Sequence, residues 1–202
     1  MLTLHYAPKT ISIAVAIALE EAGLAYDAVA VDFATGAQGS PEYLAVNPKG
    51  RVPSLITGAG TLTETGAILE FIADTSAQLM PDTPLAAARM REVMYYLAST
   101  MHVNHAHKMR GHRWADQQSS FDDMTAKVPE TMAASCAYLE SKLELDPFVS
   151  TDISIADPYL FVVLSWVPGD GVDLAKFPKL AAFVNLMRAR PSVQAVTAKG
   201  ML

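Results

Sequence analysis

The stretch from Ile11 to Glu21 places apolar residues on nearly every side of a helix. A helix of this kind is buried on two faces, and a sheet packed on one side covers only one of them. The alternating residues 2–6 just before it predict a short strand, and residues 7–9 supply the turn. The chain therefore begins with a strand and a buried helix that need a further element packed against them.

Strands and helices continue to alternate as far as residue 73. The predicted elements are a strand at 26–31, a helical turn at 41–45, strands at 52–57 and 61–64 around a hairpin turn at 58–60, and a helix at 65–73. Their order, β-α-β-α-β-β-α, predicts an α/β domain.

Beyond residue 74 the pattern changes to helices alone. Pro81 and Pro84 interrupt any continuous helix between residues 74 and 84, which places a domain boundary there. We therefore predict a domain at 1–76, a linker at 77–84 and an all-helical domain at 85–202. The predicted helices of the second domain are 85–111, 120–144, 154–167, 178–189 and a short one from Ser192.

The charge and the apolar runs disfavour several classes of protein. A net charge of −6 and a pI of about 5.3 disfavour binding to nucleic acid or anionic lipid. The apolar run at residues 11–19 is too short to span a membrane, and no basic segment precedes an apolar core as in a secretory signal. These features predict a soluble, cytoplasmic protein with neither nucleic acid nor membrane as a partner.

Cysteine chemistry is restricted by Cys136, the single cysteine of the chain. One cysteine forms no internal disulfide, no Cys-x-x-Cys redox pair and no thiolate metal cage. Because Cys136 lies at helical spacing among apolar residues, we expect a buried and unreactive thiol.

Three short motifs occur in order along the chain: NPKGRVP at 47–53, LTETGAI at 62–68 and SIAD at 154–157. Together with the order of the elements, they resemble the glutathione S-transferase family over the whole chain, and most closely its bacterial members, including the beta class. The resemblance implies a thioredoxin-like domain that binds glutathione, an all-helical domain that shapes an electrophile pocket, and a homodimer. Glutathione is then a co-substrate, and no metal is needed.

Val52 and Pro53 stand at the start of the third predicted strand. A proline in this place is a candidate for a cis peptide bond, since cis geometry is accessible almost only before proline. A cis bond would turn the Val52 N–H and C=O outward, and the resemblance implies that they pair with the cysteinyl part of glutathione as an added strand. The alternative is an ordinary trans proline at a strand end.

Glu64 and Thr65 stand where the fourth strand gives way to a helix. The Thr65 hydroxyl and the first helical N–H groups are suited to hold a carboxylate, and the Glu64 carboxylate to pair with an ammonium. The γ-glutamyl end of glutathione carries both groups, although the two residues also fit a plain helix cap. Lys49 and Arg51 are candidates for the remaining carboxylate, or else solvated surface charges.

Ser154 and Asp157 fit a capping box, in which the serine oxygen and the acid satisfy N–H groups at the start of a helix. We expect a structural role, and loss of such a cap typically costs about 1 kcal/mol. The resemblance implies that this motif also matters for folding.

Chemistry on glutathione requires its thiolate, and a thiol with a pKa of about 8.5 is only ~3% ionised at pH 7. The resemblance implies a stabilising tyrosine, serine or cysteine near the first strand–helix junction. Ile11 occupies the beta-class cysteine position, which disfavours mixed-disulfide chemistry. Thr10, Ser12 and Tyr6 are the catalytic candidates, in that order, and the helix N-terminus is a further source of stabilisation. Each hydroxyl is alternatively a helix cap or a strand-end filler.

Histidines are concentrated in MHVNHAHKMRGHRWAD, residues 101–116. His102 and His105 fall on one helix face and His107 on another, and no cysteine or suitably placed acid completes a metal set. We therefore predict no metal site. The resemblance matches His102 to a beta-class histidine that reaches toward glutathione and the second-substrate pocket; the alternative is a hydrated or interdomain histidine.

Together these features favour a glutathione transferase-like enzyme whose bound thiolate attacks a small apolar electrophile or reduces an organic hydroperoxide. A non-catalytic glutathione-binding scaffold or regulatory module is the alternative, because the beta-class cysteine is absent. A glutathione-dependent isomerase or dehalogenase is a third interpretation. The residues that line an electrophile pocket vary, so the sequence does not identify the second substrate.

Overall fold

A computed structural model gives the structure of residues 1–144, 148–150 and 152–202. The chain divides into two compact units, Met1–Met80 together with Met187–Leu202, and Pro81–Leu186. The last segment, which the sequence pattern placed in the helical domain, therefore clusters with the N-terminal unit. Among the described residues, no helix has the length and apolar character needed to cross a membrane.

The first unit contains a four-stranded mixed sheet. Its strands are β1 Leu2–Tyr6, β2 Tyr26–Ala30, β3 Ser54–Thr57 and β4 Gly60–Thr63, in the order β2-β1-β3-β4. β1 is parallel to β2 and antiparallel to β3, and β3 is antiparallel to β4. This topology confirms the predicted thioredoxin-like α/β domain. Gly60 pairs with Thr57 in the ladder, so the hairpin turn is one residue shorter than its sequence suggested.

The helices differ from the predicted ones mainly in their bounds. They are α1 Ser12–Glu21, α2 Pro41–Val46, α3 Thr65–Ser76, α4 Pro84–Tyr96, α5 His102–His107, α6 Gln118–Lys142, α7 Ala156–Trp166, α8 Pro178–Arg188 and α9 Pro191–Ala198. A π-helical segment, Leu97–Met101, joins α4 to α5, so the helix predicted at 85–111 is not uniform and ends at His107. Helices α1 to α3 and α9 belong to the first unit, α4 to α7 belong to the second, and α8 runs across the division.

Helix α1 is buried from Ser12 through Leu19, which confirms the two-sided burial predicted from its sequence. It packs against β1 on the sheet side and also against α3 and α9. Arg190, just before α9, donates from Nε and Nη2 to the Glu21 carboxylate at 2.5 and 2.7 Å. The further cover that this apolar helix requires thus comes partly from the far end of the sequence.

The capping box before α7 is present in a modified form. The Asp157 carboxylate accepts the Ser154 N–H at 2.7 Å, as the motif predicts. The Ser154 hydroxyl, however, donates to the same carboxylate at 2.8 Å, and no side-chain cap bond reaches a helical N–H among the described residues. The carboxylate, fully buried, is therefore the centre of this motif, and the serine supports it.

Cys136 lies on α6 with none of its surface exposed, which confirms the predicted buried thiol. Burial, together with the nearby carboxylates of Asp170 and Glu140, raises the pKa of this thiol to about 12. Because the thiolate is the reactive form, Cys136 is inert in the folded protein.

We expect no reaction of Cys136 with an aromatic disulfide reagent in native buffer, and reaction of one thiol per chain after unfolding in guanidinium chloride. Absorbance of the released aromatic thiolate measures both states. Prompt modification of the folded protein would contradict this assignment.

Candidate active site

Three segments of the first unit meet at one end of the sheet. The antiparallel register pairs Ser54 with His5 on one side and with Thr63 on the other. The residues that follow β1 and β4 and those that precede β3 therefore leave the sheet at the same end. This geometry brings the segments around Thr10, Val52 and Glu64 together.

The turn between β1 and α1 is closed by two hydroxyl groups. The Ser12 Oγ accepts the Ala7 N–H at 3.1 Å and donates to the Ala7 C=O at 3.2 Å. The Thr10 Oγ1 donates to the same carbonyl at 2.8 Å and lies 2.7 Å from the Ser12 Oγ. Ser12 is fully buried, whereas Thr10 is partly exposed. Of the Thr10 and Ser12 hydroxyls, only that of Thr10 belongs to a residue with exposed surface.

Tyr6 and Ile11 lie outside this hydroxyl pair. The Tyr6 C=O accepts the Val31 N–H at 2.7 Å, and no hydrogen bond joins the Tyr6 phenol to another described residue. Ile11 is 5% exposed and belongs to the core. The residue that the sequence resemblance matches to the beta-class cysteine is thus a buried apolar one; the match itself stays a prediction.

The loop before β3 is held by side chains that the sequence analysis did not select. The Tyr43 hydroxyl and the Asn47 amide both donate to the Arg51 C=O at 2.7 Å, and the Lys49 N–H donates to the Asn47 Oδ1 at 3.1 Å. Asn47 is 1% exposed. It belongs to the NPKG motif, so the sequence did mark this residue. Tyr43 had no such signal, because its partner is eight residues away.

The Val52–Pro53 peptide bond is cis, as predicted. Val52 precedes β3 and is half-buried, while Pro53 is buried. Among the described residues, the Val52 N–H and C=O enter no backbone hydrogen bond. Both groups therefore lack a backbone partner in this part of the chain; their pairing with a ligand stays a prediction.

Glu64 separates β4 from α3 and has an uncommon backbone conformation. Its φ of 72° and ψ of 120° lie in a region that costs a residue with a side chain about 1–3 kcal/mol. Thr65 begins α3 and is nearly buried, and the first N–H groups of a helix lack intrahelical acceptors. The Glu64 side chain makes no cap hydrogen bond, and strain of this kind is concentrated at ligand sites. The binding role of Glu64 and Thr65 stays a prediction.

Lys49 and Glu64 are brought together as an ion pair. The Lys49 Nζ donates to a Glu64 carboxylate oxygen and, at 2.8 Å, to the Thr63 hydroxyl. The Glu64 side chain is still 69% exposed. Arg51 is also exposed, and its guanidinium forms no ion pair with the described part of the chain. The site thus offers one carboxylate, two cations and a helix N-terminus.

An open cleft of about 330 Å³ lies beside the hydroxyl pair. It is lined by Ala7 and Pro8 from the turn after β1 and by residues 30–34 from the end of β2. The lining is largely apolar. The Asp32 carboxylate is occupied by the Ala34 N–H at 2.9 Å. Neither Thr10 nor Ser12 lines the cleft, but both hydroxyls contact the backbone of Ala7, which does.

The histidines lie in the second unit, around Trp166. The ring centroids of His102 and Trp166 are 5.1 Å apart, and His105 stacks on the same indole at 4.3 Å. The two histidines therefore share a face, as predicted, whereas His107 contacts Trp114. The His105 Nδ1 lies 2.7 Å from the buried Asp170 carboxylate. The role of His102 toward glutathione stays a prediction.

Metal-ligating side chains do not converge in the part of the chain that the structure describes, where no cluster of three His, Cys, Asp or Glu could hold an ion.

A thioredoxin-like sheet with a cis proline before its third strand, followed by a helical unit, defines a class of two-domain thioredoxin-fold proteins. Residues 2–74 match the family profile "Glutathione S-transferase, N-terminal domain", and residues 105–200 match "Glutathione S-transferase, C-terminal domain". The chain belongs to the glutathione S-transferase family, which confirms the resemblance seen in its sequence and the prediction of a transferase-type enzyme.

Individual relatives agree with this membership. Glutathione S-transferase GstA of Escherichia coli is 30% identical over 98% of both chains. A crystal structure of a glutathione transferase homologue from Sulfitobacter, with bound glutathione, is 60% identical, covers 100% of this chain and 99% of its own, and has a TM-score of 0.98. A beta-class glutathione S-transferase from Sphingomonas chungbukensis is 33% identical, with 99% and 100% coverage and a TM-score of 0.84.

Proposed function

We propose that this protein binds glutathione and transfers it, as a thiolate nucleophile, to a small apolar electrophile. The observation that carries most weight is the meeting of the unpaired Val52 backbone with Glu64 and Thr65 at one end of the sheet. Glutathione has an extended backbone and a zwitterionic γ-glutamyl end that match these groups in order. The glutathione bound to the 60% identical homologue supports the same ligand for this chain.

Each end of glutathione then has a partner. The Val52 N–H and C=O pair with the cysteinyl residue as an added strand. The γ-glutamyl carboxylate is held by Thr65 and the start of α3, and the ammonium by Glu64. Arg51 and Lys49 bind the glycine carboxylate of glutathione. Lys49 leaves Glu64 or shares it when the ligand ammonium arrives.

The thiol is ionised by Thr10. Lowering a thiol pKa from about 8.5 by roughly two units takes about 2.7 kcal/mol, which one or two hydrogen bonds to a charged sulfur supply. In the ligand-free turn both hydroxyls lie within reach of the Ala7 C=O. If the Ser12 hydroxyl alone remains bonded to that carbonyl, the Thr10 hydroxyl can donate its hydrogen bond to the glutathione sulfur instead. Thr10 is then the catalytic hydroxyl, and Ser12 positions it.

The second substrate occupies the apolar cleft beside Ala7 and Pro8. In conjugation the sulfur forms a bond to an electrophilic carbon, the leaving group departs with its electron pair, and the thiol proton goes to solvent. With an organic hydroperoxide the sulfur takes the distal oxygen and an alcohol leaves; a second glutathione then yields glutathione disulfide and water. Both reactions use the same thiolate.

A glutathione-binding scaffold is the second candidate, favoured by the buried Ile11 at the beta-class cysteine position. Titration of bound glutathione separates the two functions, since a scaffold gains nothing from ionising the thiol. We expect ultraviolet thiolate absorbance of the complex to appear about two pH units below that of free glutathione. Titration at the free value would favour the scaffold.

Thr10→Val is expected to raise the pKa of bound glutathione by about one unit, near 1.4 kcal/mol, because it removes the hydroxyl and keeps a β-branched shape. The affinity for S-methylglutathione, which has no thiol to ionise, should not change. Thiolate absorbance and calorimetry measure the two quantities. Thr10→Ser retains the hydroxyl and is the matched control; an equal pKa in all three proteins would remove Thr10 from the mechanism.

We further propose a cytoplasmic homodimer, as in the family. Large apolar side chains on α4 are exposed, with Leu85 at 63% and Tyr95 at 64%, and exposed apolar surface of this kind marks interaction sites. Sedimentation equilibrium tests the dimer, and a monomer at micromolar concentration would refute it.

A further inference from the structure

The segment after α9 forms a backbone contact with the turn that carries Thr10. The Lys9 N–H donates to the Met201 C=O at 2.9 Å. Lys9 has a φ of 59°, in the left-handed region that side chains disfavour. It directly precedes Thr10 in the chain. The hydrogen bond that the Met201 C=O accepts therefore holds a strained residue next to the proposed catalytic hydroxyl.

Residues 199–202 are themselves firmly placed within the first unit. The Met201 side chain is 1% exposed, and its N–H donates to the Val196 C=O at 3.1 Å. Gly200, with a φ of 71°, ends α9 in the left-handed conformation that glycine adopts without cost. Lys199 donates to the Glu20 carboxylate at 2.5 Å. The acceptor for Lys9 is thus supplied by a fixed segment.

The backbone of the turn is also held from the side of α1. The Thr10 C=O accepts the Ile13 N–H at 3.1 Å, whereas the Thr10 N–H reaches the Ala7 C=O only at 3.4 Å. The shorter bond from the Thr10 hydroxyl to Ala7 is the one given up when that hydroxyl turns toward a thiolate. The contact between Lys9 and Met201 is unaffected by this change, so it restrains the residue before Thr10 from outside the turn.

We propose that Met201 is a positioning residue for catalysis: its carbonyl fixes the left-handed Lys9 and thereby aims the Thr10 hydroxyl at the glutathione sulfur. This inference rests on the proposed function, because it presumes a thiolate stabilised by Thr10. Residues 199–202 touch neither sulfur nor electrophile in this role. Their loss should impair ionisation of the thiol and leave binding of the peptide backbone intact.

A pair of glycine substitutions tests the proposal in the full-length chain. Gly200→Ala strains the end of α9 and displaces Met201. Gly23→Ala is the matched control, since Gly23 follows α1 with a φ of 63°, and a methyl group added at either glycine meets nothing within 4 Å. Both variants should lose similar thermal stability. Only Gly200→Ala should raise the pKa of bound glutathione, by about half a unit to one unit.

Two truncated chains test the Met201 carbonyl directly. A chain ending at Gly200 lacks the acceptor, whereas a chain ending at Met201 retains it. We expect the first to lower kcat at neutral pH by about tenfold, with the KM for glutathione within about twofold of wild type. The second should match wild type. In the shorter chain, Lys9→Gly should recover part of the activity, because glycine keeps the left-handed conformation without the hydrogen bond.

The outcomes separate this inference from the proposed function. If wild-type protein does not lower the thiol pKa, both are overturned. If it does, and Gly200→Ala behaves like Gly23→Ala, only the role of Met201 is overturned. Equal kcat values for the two truncated chains would likewise overturn only the role of Met201. A pKa shift confined to Gly200→Ala and to the Gly200 truncation supports the proposal.

Discussion

Replacing Glu64 with glutamine should weaken glutathione binding by about 10- to 150-fold, measured by calorimetry. Hydrogen bonds to a charged partner contribute about 1.5–3 kcal/mol, and Glu64 is the one carboxylate proposed to face the ligand ammonium. The substitution keeps the shape of the side chain and removes only its charge. Glu42→Gln, at an exposed glutamate on α2, is the matched control and should bind as wild type. Unchanged affinity of a folded Glu64→Gln protein would sink the proposed orientation of glutathione.

Glu64→Gly provides a second test in which binding and stability move in opposite directions. Glycine relieves the backbone strain at this residue, about 1–3 kcal/mol, against an entropic cost of about 0.5–1 kcal/mol in the unfolded chain. The variant should therefore unfold at higher urea concentration and still lose affinity for glutathione. A Glu64→Gly protein that unfolds at lower urea concentration than wild type would contradict the strain assigned to Glu64.

The ion pair with Lys49 explains why the expected loss of glutathione affinity in Glu64→Gln is not larger. Lys49 pairs with Glu64, so the ammonium of glutathione replaces an existing partner of this carboxylate. Both side chains are substantially exposed, and exposed pairs contribute only about 0–1 kcal/mol. Displacement of Lys49 is therefore a modest cost that the ligand ammonium offsets.

Asp157→Ala should lower the free energy of unfolding by about 3 kcal/mol or more, measured by urea denaturation. The buried carboxylate accepts the Val149 N–H at 2.8 Å as well as the N–H and hydroxyl of Ser154. Its removal strands these donors, and each buried unsatisfied group costs about 1–3 kcal/mol. The expected loss therefore exceeds the roughly 1 kcal/mol of an ordinary cap.

Ser154→Ala is the control for this prediction. It removes one of the bonds to the carboxylate and leaves both backbone donors paired, so we expect a loss of about 1 kcal/mol. A loss within 1 kcal/mol for Asp157→Ala would mean that water replaces the carboxylate, and that Asp157 does not organise the start of α7.

Local features of the fold were predictable because their causes are local. The alternation in residues 2–6 and the apolar helix after it define β1 and α1, and the Val-Pro step signalled its cis bond. The sequence could not separate Thr10 from Ser12, since burial of one hydroxyl depends on how α1 packs. The left-handed Glu64 gave no signal either, because glutamate is not a residue that favours such a backbone.

Contacts between distant parts of the chain were also beyond the sequence. Nothing in residues 187–202 indicates that they belong with the first unit, because an amphipathic helix does not specify which surface it covers. The ion pair between Glu21 and Arg190 joins residues 169 positions apart. The π-helical segment before His102 was not predictable either, since its residues are typical of an ordinary α-helix.

The return of α9 to α1 has a consequence for synthesis on the ribosome. A nascent chain folds from its N-terminus as domains become complete, but the first unit lacks α9 until the whole helical unit has also been synthesised. Until then the apolar surface of α1 that α9 covers stays open to water and to chaperones. The helical unit, whose residues are continuous in sequence, has all of its parts earlier, so the unit whose synthesis begins first is completed after it.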